Sequence, residues 1–486
     1  MLSLFDGNSS RRDFLTVGSL ALGGLSLPSL LRAGEPTRSR IRKNSGGQSP
    51  DGRILTNSAT IEPVRHAAAT GKSVIFLFMH GGPSQTETFD PKMTAPSGIR
   101  SVTGEIKTKI PGVTFGSTFE KLAKLADRFS IVRSFVTGDG RHDIKPIVCK
   151  DSLDANIGSI YSRVVGQNHP ANGLPTNCLL FPRAVDPTTM PGITNFGKFD
   201  STGQLGPAYS PFVPGAGGEM QSNMKLKVPM TRLDDRRSLL AGLDRLKRTF
   251  DVSTASGLDT ITQQAFSTIL GGAAEAFDLK QEDPKLVARY DTAGLVKPEQ
   301  IDKKWNNHKR YADNAKSLGK LLLLARRLCE RGAGFVTVTT NFVWDMHADV
   351  NNATVEEGMR YMGVPFDHAV SAFLEDVHRR GLSEKILLVC CGEMGRTPRV
   401  NRKGGRDHWG NLAPLLLSGG GLKSGQVIGQ SNSHAAEPQT EPLRIPRLIG
   451  TILNTLFDTG TLRLNQSVPT AVSNRLTGYE PLPGLS

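Results

Sequence analysis

Carboxylate and imidazole side chains occur close together at several points of the chain. Asp345 and His347 alternate in Trp344-Asp345-Met346-His347, so in an extended segment both side chains would point to the same side. A carboxylate oxygen and an imidazole nitrogen on one side can bind the same divalent metal. Asp407 and His408 form a second such group. These residues predict a metal site built from separate segments, and ordinary salt-bridged loops are the alternative.

A third group follows the apolar run that ends at Cys391. Glu393 stands there with Arg396 three residues later, and a buried carboxylate needs a metal or a cationic partner. We expect Glu393 to be a metal ligand. We expect Arg396 to be a catalytic residue that, with Arg406, steadies an anionic group. A purely structural pair between Glu393 and Arg396 is the alternative.

Two further polar groups follow apolar runs near the beginning of the chain. Ser84 and Asp90 lie beyond His80-Gly81-Gly82-Pro83, where Ser84 could act as a nucleophile and Asp90 as a metal ligand. His142, in Asp139-Gly140-Arg141-His142-Asp143, is predicted to be catalytic or a further ligand. A helix cap at Asp90 and a solvated turn around His142 are the alternatives. The chain has no Gly-x-Ser-x-Gly, which disfavours a Ser-His-Asp hydrolase.

The elements that must position these residues read as alternating strands and helices. Continuous apolar runs predict strands at 73–79, 130–136, 178–181, 335–339, 385–390 and 414–417. Helical spacing predicts helices at 119–129, 315–331, 366–380 and 446–457. This order indicates an α/β fold with a doubly wound, mostly parallel sheet and a helical insertion at about 231–331. Ligands of such sheets bind at the carboxyl ends of the strands.

The N-terminal region is predicted to be an export signal and a linker that lie outside the folded domain. Ser10-Arg11-Arg12-Asp13-Phe14-Leu15 is a twin-arginine export signal, and residues 1–33 are predicted to be the signal peptide. A retained anchor is the alternative. Residues 34–70 are predicted to be a flexible basic linker, 71–465 the α/β domain and 466–486 a C-terminal tail. We expect export to the periplasm or cell envelope and no stable membrane span.

The charge of the chain restricts its partners. There are 59 Lys and Arg against 45 Asp and Glu, a net charge of +14. This balance suits an anionic small-molecule or polysaccharide ester as substrate. Nucleic acid is disfavoured because the basic residues are dispersed and the protein is expected to be exported. Five cysteines, an odd number, argue against a disulfide framework. The oligomeric state stays open.

Several motifs together resemble a known family. The twin-arginine start, GGPSQTETFDPK from Gly81, WDMH from Trp344, GEMGRTP from Gly392 and GRDHWG from Gly405 are similar to the domain-of-unknown-function family 1501. That family is abundant in planctomycetes and is assigned to the alkaline phosphatase-like superfamily, which includes sulfatases. The resemblance implies an alkaline phosphatase-like α/β fold with one or two divalent metals, zinc or calcium, at the strand ends.

The resemblance also implies roles for individual residues. By motif order, Asp345 and His347 resemble one ligand pair. Asp407 and His408 resemble the late histidine site, and Glu393 holds the place of a further ligand. The first-strand acidic ligand would have to be Asp90 or His80. The nucleophile position near 139–143 has no Ser, Thr or Cys beyond Thr137, so a metal-activated water would replace it.

Two functions follow from the sequence. The first is an exported metal-dependent hydrolase of sulfate or phosphate esters. The alternative is a catalytically inactive envelope protein on the same fold that binds acidic polysaccharide or a protein partner.

Overall fold

A fully buried and almost entirely apolar strand lies in the interior of the sheet. In the computed structural model, which describes residues 68–215, 273–464 and 468–485, strand β1 (Ser73–Phe78) is buried along its whole length. It pairs in parallel with β7 (Phe335–Thr339) on one side and β8 (Ile386–Cys391) on the other. Both edges of β1 are paired and both of its faces are covered, so none of its side chains reaches solvent. This burial explains why its sequence is almost entirely apolar.

The main sheet has seven strands in the order β12-β4-β11-β8-β1-β7-β6. The four not yet given are β4 (Ser130–Val132), β6 (Asn177–Leu180), β11 (Leu415–Gly419) and β12 (Val427–Ile428). Within this described sheet only β11 is antiparallel, to both β8 and β4. The predicted α/β fold with a mostly parallel sheet is confirmed.

Helices cover both faces of the sheet. Helices α4 (His308–Glu330) and α5 (Val355–Arg379) pack on one face, and α2 (Ile157–Val165) and α6 (Ile445–Leu456) pack on the other. The side chains of β1 alternate between these two cores, with Leu77 in the first and Phe76 in the second. The sheet is therefore doubly wound, as predicted.

The remaining described elements are short. The helices are α1 (Glu120–Lys124), α3 (Pro284–Tyr290), α7 (Thr459–Leu464) and α8 (Thr470–Thr477). The strands are β2 (Glu105–Lys107), β3 (Thr114–Gly116), β5 (Phe135–Val136), β9 (Gly395–Arg396), β10 (His408–Trp409) and β13 (Leu443–Arg444). Three two-stranded sheets form from them: β2 with β3, β5 with β13, and β9 with β10.

Some predicted boundaries differ from the structure. The strand predicted at 130–136 is divided into β4 and β5, and β5 leaves the main sheet to pair with β13. The helix predicted to begin at Phe366 begins at Val355 and contains Pro365, although a proline usually marks a helix boundary. Thr354 caps this helix by accepting a hydrogen bond from the Glu357 N–H.

Several predictions fall partly or wholly outside the described residues. These are the signal peptide at 1–33, the linker at 34–70 except for its last three residues, and the part of the helical insertion before residue 273. Among the described helices, none is long and apolar enough to cross a membrane.

The strands that matter for the site end at one edge of the sheet. Phe78, Thr339 and Cys391 are in register at the carboxyl ends of β1, β7 and β8. The chain segments that follow these three strands therefore leave the sheet side by side. The β9–β10 pair, in which Arg396 is opposite His408, follows β8 directly.

Candidate metal centre

Four side chains converge at the carboxyl edge of the sheet. One ligand atom each from His142, Asp345, His347 and His408 lies within 4.8 Å of the others. Asp345 Oδ1 is 2.8 Å from the Nε2 atom of His347, 3.3 Å from that of His408 and 3.5 Å from that of His142. We call these four residues the His/Asp cluster.

Three separate parts of the fold supply the His/Asp cluster. Asp345 and His347 lie on the segment after β7, His142 lies on the loop after β5, and His408 lies in β10. The segment after β7 passes very close to the one after β1, because a Cβ on Gly81 would lie 2.5 Å from the Asp345 nitrogen. Gly81 also has φ of 114°, a conformation open to glycine.

Carboxylates outside the cluster orient two of its histidines. His142 Nδ1 is 2.8 Å from Glu393 Oε1, and His347 Nδ1 is 3.4 Å from Asp407 Oδ1. A carboxylate beside Nδ1 favours the proton on that nitrogen and leaves the lone pair on Nε2. In both histidines the Nε2 atom faces the Asp345 carboxylate, so it donates a hydrogen bond to that carboxylate when protonated and can bind a cation when deprotonated.

The two imidazoles of His347 and His408 are unusually close. Their Nε2 atoms are 2.7 Å apart, a distance that requires either one shared proton or a cation near both lone pairs. Burial lowers the pKa of His408. That shift favours the neutral ring, which is the form that binds a metal.

Glu393 is fully buried beneath the His/Asp cluster. Its two oxygens accept hydrogen bonds from the Gly81 N–H at 2.9 and 3.2 Å. Burial opposes protonation of His142, but its hydrogen bonds to Asp345 and Glu393 outweigh burial and raise its pKa. Glu393 is thus held to the cluster through His142, and its role as a direct metal ligand stays a prediction.

Arg396 is buried and contacts the cluster directly. Its Nη2 atom donates to Asp345 Oδ1 at 2.5 Å, and its Nε atom donates to the Gly82 carbonyl at 2.7 Å. Burial of Asp345 would raise its pKa, but Arg396 and the three histidines hold that pKa well below the usual value. Asp345 is therefore ionised and able to bind a cation.

Two predicted site residues do not join the cluster. Asp90 lies 3.2 Å from the Lys92 ammonium and 3.6 Å from the Arg133 guanidinium, and it accepts a hydrogen bond from Ser431. Ser84 Oγ is hydrogen-bonded to Thr86 Oγ1 at 2.8 Å and is buried. Their predicted roles as metal ligand and nucleophile stay predictions without a contact that supports them.

Arg406 is engaged in the interior. It forms a fully buried ion pair with Glu87 at 2.9 Å. Its other N–H groups donate to the backbone carbonyls of Ile99, Arg100, Thr397 and Pro398. The expectation that Arg406 steadies an anionic substrate group is not supported by this geometry, because its donors already have acceptors.

Three aromatic rings lie beside the cluster, of which only His80 was named from the sequence, as an alternative to Asp90 for the first-strand ligand. His80 is fully buried, neither of its ring nitrogens has a hydrogen-bond partner among the described residues, and burial lowers its pKa to about 4. Phe342 packs against both His80 and His142, and Phe196 stacks on Phe342. The position of His80 at the end of β1 was a usable signal. Nothing in the sequence around Phe196 indicated a site.

The cluster opens on the His347 side. A cleft of about 400 Å³ is lined there by His347, Ala348, Asp349, Asn401, Arg402, Lys403 and Asp407. Its charged side chains are two cations, Arg402 and Lys403, and two anions, Asp349 and Asp407, so the lining of the cleft carries no net formal charge.

The sequence matches one family model. A model described as protein of unknown function (DUF1501) matches residues 71–462. Among curated proteins, none matches this sequence.

Loosely similar solved structures include a sulfatase and a phosphonate monoester hydrolase. The Pseudoalteromonas sulfatase PsFucS1 is 11% identical with a TM-score of 0.30, covering 85% of this chain and 70% of that chain. The phosphonate monoester hydrolase SpPMH from Silicibacter pomeroyi is 12% identical with a TM-score of 0.27, covering 85% and 78%. Ps i-CgsB is 11% identical with a TM-score of 0.33, covering 79% and 72%. At such TM-scores the likeness is loose, and the fold assignment rests on the sheet order given above.

Proposed function

This chain belongs to the family described as protein of unknown function (DUF1501), and from the geometry of its candidate metal centre we propose that it is a metal-dependent hydrolase of sulfate or phosphate esters. The observation that carries the proposal is the convergence of three Nε2 atoms on the ionised Asp345. Carboxylates beside the Nδ1 atoms of His142 and His347 complete the pattern typical of metal-binding histidines.

The donor set favours a particular kind of metal. Three imidazole nitrogens and one carboxylate oxygen suit zinc or a similar transition metal, whereas calcium prefers oxygen ligands alone. His142, Asp345, His347 and His408 would hold the ion. A metal bound there supplies Lewis-acid polarisation of an ester oxygen and lowers the pKa of a water.

The protein's own residues would do the remaining work. Glu393 and Asp407 would keep a proton on the Nδ1 atoms of His142 and His347, which makes them positioning residues rather than ligands. Arg396 would keep Asp345 ionised. Arg402 or Lys403, on the cleft beside His347, would pair directly with the anionic half of the ester, although Asp349 and Asp407 balance their charge there.

Metal analysis and an ester screen test the proposal together. Purified protein is expected to contain about one or two equivalents of a transition metal and to hydrolyse at least one aryl or sugar sulfate or phosphate. His347→Ala should remove most metal and activity. His434→Ala, which changes an exposed histidine outside the cluster, should change neither. Folded wild-type protein that binds no metal and is inactive on the whole panel would contradict the proposal.

A second function is favoured by one observation. In the described part of the chain, no serine, threonine or cysteine side chain is hydrogen-bonded to the His/Asp cluster or to Glu393. A catalytically inactive protein that binds acidic polysaccharide would need no nucleophile. Asp345→Ala combined with His347→Ala separates the two functions. Retention of polysaccharide binding in this variant, together with a wild type free of metal, would favour the binding protein.

We also propose export by the twin-arginine route to the periplasm or cell envelope. The support is the Ser10-Arg11-Arg12-Asp13-Phe14-Leu15 segment. Changing Arg11 and Arg12 together to lysine should keep the protein in the cytoplasmic fraction, whereas Arg32→Lys should not. Equal amounts of all three proteins in the periplasmic fraction would contradict this proposal.

A further inference from the structure

Two phenylalanine rings form a wall beside the His/Asp cluster. Phe196 and Phe342 are stacked, with ring centroids 4.3 Å apart and an angle of 15° between the ring planes. The centroid of the His142 ring is 5.1 Å from that of Phe196 and 4.7 Å from that of Phe342. The two rings therefore pack against His142, one of the four members of the His/Asp cluster.

The two rings differ in exposure. Phe342 is 7% exposed, whereas Phe196 is 37% exposed. A large apolar side chain that stays partly open beside a polar site offers a flat surface to a ligand. Stacking on Phe342 holds the Phe196 ring in place, so little of its freedom would be lost when a ligand binds.

Backbone strain lies at the base of this wall. Asn341 and Phe342 have φ of 61° and 67°, in the left-handed region that asparagine tolerates but a bulky residue such as phenylalanine rarely occupies. Strain of this kind persists where surrounding contacts enforce it, and it occurs preferentially at functional sites.

The strained turn also holds the segment that carries Phe196. Asn341 Oδ1 accepts a hydrogen bond from the Ile193 N–H at 3.0 Å, and Asn341 Nδ2 donates to the Pro191 carbonyl at 3.4 Å. Two adjacent residues in the left-handed conformation thus supply Phe342 and tether the segment that carries Phe196. The stacked rings are a built feature of this edge of the fold.

We infer that Phe196 and Phe342 form a stacking subsite for the ring of the alcohol half of the ester. The inference rests on the proposed hydrolysis. An ester group at the His/Asp cluster would place its alcohol beside Phe196, and a ring with a flat apolar face would stack there. A sugar ring and an aryl ring share that chemistry, and an acyclic alcohol lacks it.

The test compares ring esters with acyclic esters. Metal-loaded wild type is assayed for kcat/KM on a hexose sulfate or phosphate, on the matching phenyl ester and on glycerol phosphate and butyl sulfate. Phe196→Ala should lower kcat/KM for ring esters by roughly threefold to tenfold and leave acyclic esters nearly unchanged. Phe196→Tyr keeps the ring and should keep the preference.

A matched control and a second measurement guard against a merely structural effect. Leu295→Ala changes a side chain that is also 37% exposed and should leave the ring preference intact. Saturation-transfer NMR on metal-free protein should show contact with the ring protons of a sugar phosphate in wild type and its loss in Phe196→Ala.

The outcomes separate the two proposals. Absence of hydrolysis on every ester would overturn the proposed function, and the subsite with it. Hydrolysis with an unchanged ring preference in Phe196→Ala, or with an equal loss on both classes, would overturn the subsite alone. Loss confined to sugar esters would assign the ring as a sugar, and loss confined to phenyl esters would assign it as an aryl group.

Discussion

Asp407 is 60% exposed, and its carboxylate lies 3.4 Å from the Nδ1 atom of His347, whose side chain is only 20% exposed. Removing the charge of such a partner typically weakens metal binding by about 10- to 100-fold. We expect this loss in Asp407→Asn, measured as the metal dissociation constant by titration calorimetry. Asp143→Asn, at 61% exposed, is the matched control. Equal affinity in both variants would mean that Asp407 does not orient His347.

At the residue scale, the sequence predicted which residues belong to the site better than it predicted which side chains contact one another. The Asp-x-His spacing of Asp345 and His347 was enough to predict that both point into one site. The partners of Arg406 and Asp90 could not be predicted, because Glu87 lies 319 residues from Arg406 and Ser431 lies 341 residues from Asp90. Local spacing carries no information about such pairs.

At the element scale, the fully buried Glu87–Arg406 pair ties the segment before β10 to the segment after β1. Removing one charge of a buried pair leaves the other without compensation, at a cost of about 3–5 kcal/mol. We expect Glu87→Gln to lower the free energy of unfolding by this amount in urea. Asp127→Asn breaks the exposed pair with Lys109 and should cost less than about 1 kcal/mol. Similar losses in both variants would contradict the argument.

The contact between α5 and α1 predicts that the stability of the protein depends on pH. Asp367 in α5 accepts hydrogen bonds from the Lys121 and Leu122 N–H groups of α1, which has no capping side chain of its own. Burial outweighs these donors and raises the pKa of Asp367 to about 6. The folded protein therefore holds this proton more tightly than the unfolded chain. The stability that it contributes is full below about pH 4 and is lost as the pH rises through 6.

Asp367→Asn tests this dependence, because it keeps an acceptor oxygen but cannot ionise. The free energy of unfolding of the variant, relative to wild type, should rise by about 2 kcal/mol between pH 4 and pH 7. Urea unfolding at several pH values measures the difference. A difference that does not vary with pH would show that Asp367 is ionised throughout.

Element types were predictable where the apolar pattern was continuous, as in β1, β8 and α4. The residues at which the elements begin and end were less predictable. The run at 130–136 reads as one strand, but the chain turns between β4 and β5 so that β5 can pair with β13, more than 300 residues later. Because a proline usually marks a helix boundary, the prediction began α5 after Pro365 and missed its first half. The N-terminal cap of that half is Thr354, whose hydroxyl donates to the Glu357 carboxylate.

At the scale of the whole molecule, the His/Asp cluster joins segments from residue 142 to residue 408. A metal that binds only the folded protein stabilises it by about 2.7 kcal/mol at one hundred times its dissociation constant. We expect added zinc to raise the melting temperature and a chelator to lower it. Asp345→Asn should show little of either shift. A wild-type melting temperature that neither zinc nor the chelator changes would contradict a metal at this centre.

The central position of β1 has a consequence for how the protein is made. Its apolar sequence SVIFLF is synthesised early, whereas its neighbour β8 ends at Cys391, about 300 residues later. At roughly 5–20 residues per second, β1 waits on the order of 15–60 s for that neighbour. An unpaired strand of this composition is prone to aggregate. The nascent chain should therefore depend on a chaperone that shields β1 until the ribosome has passed β8.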